Sequence, residues 1–265
     1  DDPVMFDPEP VAEADVVVIE STYGNRVHEH ADPVDALGGI IERTVQRGGT
    51  VVIPAFAVGR AQTLIHDLWL LRKAGRLTNV PVYLDSPMAT SATELLHRHD
   101  DAHKLASADF EAACAAVTYV RDVEDSKALS ANRYPKVIIS ASGMATGGRV
   151  LHHIAAFGPD HRSTLLFSGF QAAGTRGRKL LEGARETKVY GQWVRVNAQV
   201  TELPMLSAHA DSDELLRWLS GFHRPPQQVF VVHGEPEASD ALRERIQRDL
   251  GWRATVPLQN RSYPL

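Results

Sequence analysis

Short runs of β-branched and aliphatic residues alternate with longer amphipathic segments along most of the chain. Runs such as DVVVIE at residues 15–20 and TVVI at residues 50–53 have the length and composition of buried strands. The segments between such runs repeat apolar residues at helical spacing, and Gly48 marks the end of the helix predicted over residues 35–46. This alternation predicts an α/β protein with a mainly parallel sheet and flanking helices.

The same pattern places strands and helices along the rest of the chain. The predicted strands cover residues 15–20, 50–53, 80–84, 136–140, 164–167, 228–232 and 254–258. The predicted helices cover residues 35–46, 59–73, 89–105, 148–157, 176–182, 213–219 and 236–250. Residues 188–203 resemble two consecutive strands with no helix between them. Because ligands of α/β sheets bind beyond the carboxyl ends of strands, we expect function in the loops that follow strands.

Composition and cysteine content narrow the class of protein. The 265 residues are 43% hydrophobic and 23% charged, which is near the globular average and argues against disorder. No apolar run reaches the roughly 20 residues of a membrane helix and no signal peptide opens the sequence, so we expect a cytoplasmic protein without membrane contact. Cys114 is the single cysteine, so a metal site needs ligands from the 12 histidines and from carboxylates.

Charge is unevenly distributed along the chain. The net charge of −5 argues against a generally basic nucleic-acid-binding surface. Residues 140–200, however, contain eight Lys or Arg against three Asp or Glu. Charge alone leaves two interpretations open, a local binding groove and ordinary solvated faces, and it favours the second.

Two glycine-containing loops follow predicted strands. The first loop contains Ser142, Gly143, Gly147, Gly148 and Arg149. Glycines allow backbone N–H groups to turn inward and a helix start adds positive partial charge, so this loop suits a phosphate. It matches neither the Walker nor the dinucleotide spacing, so the signal is weak by itself. The second loop, at residues 168–178, places Arg176 and Arg178 near a helix N-terminus, where either a bound anion or a solvated loop explains them.

Two histidines occupy equivalent positions in the predicted topology. His209 in SAHAD and His233 in VHGE each follow an extended apolar stretch and precede a helix. Glu20 ends the first predicted strand, where a carboxylate serves either a site or a helix cap. Side chains at the carboxyl ends of strands can meet in one cleft. A catalytic or metal-binding role for the histidines therefore stands beside a simple polar role.

Two other histidine-rich segments are similar to metal motifs without completing one. Residues 28–32 are HEHAD and residues 97–103 are HRHDDAH. The second segment lies in a predicted helix, where residues two apart point about 200° from each other and cannot share a metal. We expect both segments to face solvent.

Seven motifs in register resemble the β-CASP branch of the metallo-β-lactamase superfamily, which includes ribonuclease J and the endonuclease of messenger-RNA 3′-end processing. The motifs are VVVIESTYGNRVHE, VVIPAFAVGRAQTLI, VYLDSPMA, VIISASGMATGGRV, LLFSGFQAAGTRGR, LSAHAD and VVHGE, and they span residues 16–235. The resemblance implies a Rossmann-like β-CASP domain at residues 25–203. It also implies that residues 1–24 and 204–265 form the C-terminal half of a metallo-β-lactamase αββα domain.

The resemblance further implies a zinc-dependent ribonuclease that holds the RNA backbone in a cleft between the two domains. Glu20 and His209 match the family's catalytic pair beside the scissile phosphate, and His233 matches a zinc ligand. The family's phosphate-holding loop matches Ser142, Gly143, Gly147, Gly148 and Arg149, and RNA-backbone contacts match Gln171, Thr175 and Arg176. Two zinc ions are expected in the complete enzyme, and RNA and further copies of the chain are the expected partners.

One departure from the family keeps an alternative function open. Most metal ligands of the family lie in an HxHxDH motif upstream of the ESTYG segment, and here that segment begins at Glu20. Catalytic zinc needs about three protein ligands per ion, so we expect the chain to lack the N-terminal metal-binding half and not to retain zinc alone. The alternative is an RNA-binding or partner-binding fragment that does not cleave. A nucleotide or sugar-phosphate enzyme that uses the glycine loop is a third hypothesis, which leaves the histidine pair unexplained.

Overall fold

The computed structural model describes residues 2–264, and its two larger sheets are parallel. The chain divides into two units, each with its own sheet and hydrophobic cluster. The larger unit comprises residues 2–6 and His30–Ala208, and the smaller comprises Asp7–Glu29 with residues 209–264.

The helices and strands follow the predicted alternation over most of the chain. The strands are β1 (Val16–Glu20), β2 (Val51–Pro54), β3 (Val82–Leu84), β4 (Thr118–Tyr119), β5 (Val137–Ser140), β6 (Thr164–Phe167), β7 (Glu186–Val189), β8 (Gln192–Arg195), β9 (Gln199–Glu202), β10 (Gln228–Val232) and β11 (Ala254–Thr255). The helices are α1 (Pro33–Gln46), α2 (Arg60–Lys73), α3 (Pro87–His97), α4 (Ser107–Ala115), α5 (Val123–Ala131), α6 (Val150–Phe157), α7 (Arg176–Leu181), α8 (Ser212–Leu219) and α9 (Pro236–Arg245). Within residues 2–264, none of these helices has the length and apolar character needed to cross a membrane.

The sheet of the larger unit is buried on both faces. Its six parallel strands run in the order β4-β3-β5-β2-β6-β9. In β2, Val51 and Ile53 join a hydrophobic cluster on one face with α1 and α2, whereas Val52 joins a cluster on the other face with α6. Continuous apolar strands are typical of a parallel sheet that is covered twice. The expected α/β fold with a mainly parallel sheet and flanking helices is confirmed.

Strand order brings two loops together at the carboxyl edge of this sheet. Because β5 pairs with β2 in parallel, the loops that follow these strands lie side by side. Phe56 in the loop after β2 packs against Gly143 in the loop after β5, where an added Cβ would lie 2.8 Å from the Phe56 ring. Gly143 therefore has a packing role, since only a residue without a side chain permits this approach.

The smaller unit is built on the parallel sheet β1-β10-β11. Helices α8 and α9 cover one face, where Val17, Leu219 and Leu242 belong to one buried cluster. The register between β1 and β10 pairs Glu20 with Val232. The residues that follow these two strands therefore emerge at the same edge of the sheet.

Two expectations about secondary structure are wrong. The helix predicted over residues 89–105 ends at His97, and the chain beyond it forms α4, β4 and α5. Each of these two helices buries only two residues, which is too sparse a pattern for apolar periodicity to reveal. Residues 188–203 belong to three strands rather than two, because a turn at Tyr190 separates β7 from β8.

The expectation that the two histidine-rich segments, residues 28–32 and 97–103, face solvent is wrong in part. His103 is 3% exposed, and its ring centroid lies 5.1 Å from that of Phe110. In the other segment, His28 is half-buried, with its ring centroid 4.8 Å from that of Tyr23. Both histidines therefore pack against aromatic rings.

A lysine is buried immediately before β5. Lys136 is 1% exposed, and its Nζ donates hydrogen bonds to the backbone oxygens of Asn132 and Tyr134 at 2.6 and 2.7 Å. The ammonium lies 5.2 Å from the centroid of the Phe157 ring. Burial lowers the pKa of Lys136 to about 8, because the charged form loses its hydration, and repulsion from Arg133 lowers it further.

This buried lysine predicts a pH-dependent stability. Between pH 8 and 10.5, Lys136 is neutral in the folded protein and still protonated in the unfolded chain, so its contribution to the free energy of unfolding rises with pH. We expect Lys136→Met to remove this component of the rise, and Lys127→Met on the exposed side of α5 to keep it. Urea unfolding at pH 7 and pH 10.5 measures the difference, and an identical pH dependence in the Lys136 variant and the parent contradicts the argument.

Candidate active site

Three candidate side chains converge in the smaller unit. Glu20, His209 and His233 each offer a ligand atom within 4.8 Å of those of the other two. Nδ1 of His209 lies 3.4 Å from Oε1 of Glu20, and the ring centroids of the two histidines are 5.4 Å apart. Residues from three distant parts of the sequence thus form one cluster.

Two neighbouring parallel strands bring Glu20 and His233 together. The register of β1 and β10 pairs Glu20 with Val232, and His233 is the next residue. The backbone of His233 is left-handed, with a φ of 64°, which is uncommon outside glycine and turns the chain out of the strand. At Gly234 an added Cβ would lie 2.4 Å from the Ser21 hydroxyl, so this turn packs directly on the end of β1. The close packing requires glycine at that position.

A helix cap positions His209. Asp211 caps α8, and its Oδ1 accepts hydrogen bonds from two backbone N–H groups of the first turn. Its Oδ2 accepts the N–H of His28 at 2.8 Å, and Asp211 also pairs with Tyr23 in a parallel bridge. Although burial alone would raise the pKa of Asp211, these hydrogen bonds hold it below its usual value. The cap thereby ties the segment that carries His209 to the loop after β1.

Thr22 contacts all three candidate side chains. Its hydroxyl lies 3.3 Å from Nδ1 of His209 and 3.2 Å from Nδ1 of His233. Its backbone N–H donates to Oε2 of Glu20 at 2.7 Å, and the residue is 5% exposed. Thr22 is not among the residues that the sequence indicates, because a threonine after a strand is common in turns.

Glu20 is held in its charged form. Partial burial favours the neutral acid, but hydrogen bonds with His209 and with the Thr22 N–H outweigh it and lower the pKa of Glu20. A carboxylate beside an imidazole fixes the orientation of the ring. The pair can therefore present a proton to a group that gains negative charge.

The donor chemistry of the cluster fits a transition-metal ion. Zinc binds imidazole nitrogen and carboxylate oxygen, and the three converging residues offer both. A second group, formed by His28, Asp211 and Glu214, also lies within 4.8 Å. Both of its carboxylates accept backbone N–H groups in the cap of α8, so we assign this second group to local structure.

In the larger unit, hydrogen bonds to Ser142 stabilise the glycine-rich loop that follows β5. The hydroxyl of Ser142 accepts the N–H groups of Thr146 and Gly147 at 3.0 and 3.3 Å. Gly148 has a φ of 77°, and an added Cβ there would lie 2.4 Å from the Ala141 oxygen. Gly148 is therefore required by conformation and by packing. At Gly147, an added Cβ meets no atom within 4 Å, so this part of the loop is open.

Arg149 extends into a buried polar network. Its guanidinium donates to Oδ1 of Asp85 at 2.7 Å and to two backbone oxygens after β4. Asp85 is fully buried and is also hydrogen-bonded to His153 and Ser126. Although burial raises it, these partners hold the pKa of Asp85 below its usual value. The network anchors the C-terminal end of the glycine loop, and a phosphate contact by Arg149 stays a prediction.

The loop after β6 supports the glycine loop. Gln171 is 4% exposed, and its amide nitrogen donates to the backbone oxygen of Gly143 at 3.1 Å. Thr175 caps α7, and Arg176 donates to the backbone oxygen of Ala145. The side chains of Gln171, Thr175 and Arg176 thus have partners within the protein, and their contact with RNA stays a prediction.

Two family models match most of the chain. The model described as Beta-Casp domain matches residues 61–180. The model described as Zn-dependent metallo-hydrolase RNA specificity domain matches residues 193–257. The first lies within the larger unit, and the second includes the segment with His209 and His233.

Curated relatives match nearly the whole chain. Ribonuclease TTHA0252 of Thermus thermophilus is 38% identical over 248 residues, which cover 90% of this chain and 56% of the relative. Transcription termination factor FttA of Methanosarcina mazei is 32% identical, over 93% of this chain and 41% of the relative. The RNase J-like protein of Methanocaldococcus jannaschii is 29% identical, over 96% of this chain and 60% of the relative. The chain spans about half the length of these relatives.

The anchoring network predicts a large loss of stability when its acceptor is removed. We expect Asp85→Ala to lower the free energy of unfolding by about 3–5 kcal/mol, because it leaves Arg149 and His153 without their shared carboxylate. Since the folded pKa of Asp85 is depressed, its contribution is complete above about pH 3.8 and declines as pH falls further. The matched control Asp109→Ala removes a half-exposed carboxylate of α4 and should change stability by less than about 0.5 kcal/mol.

Urea unfolding at pH 7 and at pH 3 measures both variants. The gap between Asp85→Ala and the parent should narrow at pH 3. Equal stability of the two proteins at pH 7 contradicts the anchoring role.

Proposed function

Because this chain belongs to the β-CASP branch of the metallo-β-lactamase superfamily, we propose that it is part of an RNA-processing nuclease that hydrolyses phosphodiester bonds with zinc. The observation that carries the proposal is the convergence of Glu20, His209 and His233 at one edge of a parallel sheet. The description of the RNA specificity domain and the name of the ribonuclease relative support RNA as the substrate.

His209 is the proposed proton donor to the leaving oxygen. Because Nδ1 faces Glu20 and Thr22, Nε2 is the nitrogen proposed to donate the proton. When the phosphodiester bond breaks, the departing oxygen gains negative charge, which a positioned imidazolium can neutralise. Glu20 supports this role because its carboxylate lies 3.4 Å from Nδ1 and orients the ring.

His233 is the proposed metal ligand of the cluster. His233 would hold a zinc ion, which would supply Lewis acidity for the activation of water and for the stabilisation of charge on the phosphate. Ligand imidazoles are oriented by a hydrogen-bond partner, and the Thr22 hydroxyl at 3.2 Å supplies one for His233. Two zinc ions need about three protein ligands each, which is more than this cluster offers. The full metal centre therefore needs ligands beyond these three residues.

The glycine loop is the proposed phosphate-binding element of the larger unit. Its candidate donors are the backbone N–H groups around Gly147 and Gly148, the Ser142 hydroxyl and the Arg149 guanidinium. The Gly147 N–H, the Ser142 hydroxyl and Arg149 would share or exchange the partners that they have within the protein. Phosphate contacts of this kind position a nucleic acid without reading its sequence. The packing of Gln171 beneath Gly143 keeps the loop in one conformation.

Removal of the proposed proton donor tests the mechanism. We expect His209→Ala, made in the complete enzyme that supplies the remaining metal ligands, to reduce the rate of RNA cleavage in the presence of zinc by about 10²–10⁴-fold, the usual contribution of a general acid. His223→Ala removes an exposed histidine of the same unit and should retain the parent rate. A near-parent rate for His209→Ala contradicts the assignment. If the parent chain binds RNA without cutting it, the alternative of a binding fragment is favoured.

Zinc binding tests the metal assignment separately. Loss of a residue that only orients a metal ligand weakens metal affinity by roughly 10–100-fold. We expect His233→Ala to weaken zinc affinity by more than this, because it removes a ligand itself. Thr22→Val, which removes the orienting hydroxyl, should weaken zinc affinity by an amount within that range. His223→Ala should bind zinc as tightly as the parent. Isothermal titration with a zinc salt measures the parent and the three variants, each in the context of the complete enzyme. Equal affinity of His233→Ala and the parent contradicts a ligand role for His233.

A further inference from the structure

The larger unit carries a hairpin of two antiparallel strands, β7 and β8, which we call the aromatic hairpin. Its turn consists of Tyr190 and Gly191, with φ values of 46° and 84°. Such left-handed residues form the tight turns that suit the twist of a hairpin. The register places Lys188 directly opposite Trp193, so their side chains are neighbours on one face. Both residues are exposed.

Two large aromatic side chains of this hairpin lie in water. Tyr190 is 63% exposed and Trp193 is 66% exposed, whereas Trp252 in the smaller unit is 9% exposed. Full burial of a large apolar side chain stabilises the folded protein by about 1.5–3 kcal/mol. The folded chain does not gain this stabilisation in full from the two exposed rings. Single exposed apolar residues are common, but two large rings on one short hairpin form a surface.

The aromatic hairpin is attached to the glycine loop. The ring of Tyr190 stacks on that of His152 in α6, with centroids 4.7 Å apart and planes 28° apart. The hydroxyl of Tyr190 donates to the backbone oxygen of Gly148 at 3.4 Å. Arg176 donates both to a backbone oxygen of β7 and to one of the glycine loop. Hairpin tip and glycine loop therefore form a continuous surface within the larger unit.

The charge of the hairpin suits an anionic partner. Residues 185–195 contain Arg185, Lys188 and Arg195 against Glu186. The register places Glu186 opposite Arg195, so Lys188 and Arg185 give the excess of positive charge. Exposed aromatic rings beside cations match the two parts of a single-stranded nucleic acid, which are unpaired bases and phosphates.

We propose that the aromatic hairpin, together with His152, is a stacking platform for unpaired bases of RNA whose phosphates bind the glycine loop. The inference rests on the proposed nuclease function and adds a binding site to it. Tyr190 and Trp193 stack on bases, and Lys188 contacts the backbone. Since every base has a π-face, the platform binds unpaired bases of any sequence. Since a duplex hides its base faces, the platform selects single strands.

Binding of a fluorescent 12-nucleotide oligouridine tests the platform. The binding is followed by fluorescence anisotropy with zinc chelated, so that cleavage does not interfere. We expect the double variant Tyr190→Ala, Trp193→Ala to bind about tenfold or more weakly, because each stacked base contributes to affinity. The control Tyr134→Ala removes a side chain that is 64% exposed but precedes β5, at the opposite edge of the sheet, and should bind like the parent.

A second probe separates stacking from other effects. An abasic strand of the same length keeps the phosphates and lacks the bases, so the parent and the double variant should bind it equally. If the double variant loses affinity for the abasic strand by the same factor as for oligouridine, the stacking role is wrong. Trp193→Phe keeps a ring and should retain most of the affinity for oligouridine.

The remaining outcomes distinguish this proposal from the proposed function. If the parent binds oligouridine and the double variant binds it as tightly, the platform is wrong while the nuclease proposal stands. If the parent binds no single-stranded RNA, both are wrong. If sedimentation shows that the double variant converts a dimeric parent into a monomer, the hairpin is an interface between copies of the chain and the platform is wrong.

Discussion

The parallel register between β1 and β10 is the constraint on which the candidate site depends. The register sets Glu20 beside Val232. The next residue, His233, has a left-handed backbone, and its side chain lies close to Glu20. The cap of α8 at Asp211 adds His209 to the same place. A slip of one residue in this register would move Glu20 to the other face of the sheet and separate the cluster.

The sequence predicts the parts of the fold in which burial is most complete. Strands β2, β5 and β6 consist of buried residues throughout, so their apolar runs are unmistakable. Helices α4 and α5 escape the pattern because each buries only two residues. Turn residues at the ends of strands indicate Glu20 and His233 as candidates, because parallel topology brings strand ends together.

Long-range polar contacts limit what the sequence can predict about the site. Thr22 gains its importance only from contacts with histidines that are 187 and 211 residues away in the sequence, and Asp85 gains its importance from a pairing with His153. Arg149 illustrates the same limit, since its place in a glycine loop suggests a phosphate while its guanidinium also anchors that loop to Asp85. The hydrogen-bond partners of such residues are set by packing, which local sequence does not encode.

A crystal structure of the complete enzyme soaked with zinc, with anomalous diffraction recorded at the zinc edge, tests the assignment of Glu20, His209 and His233. We predict a zinc ion about 2.0–2.1 Å from a ring nitrogen of His233, with Glu20 and His209 still in contact. Zinc bound elsewhere while His233 carries none, or Glu20 and His209 on separate surfaces, would contradict it.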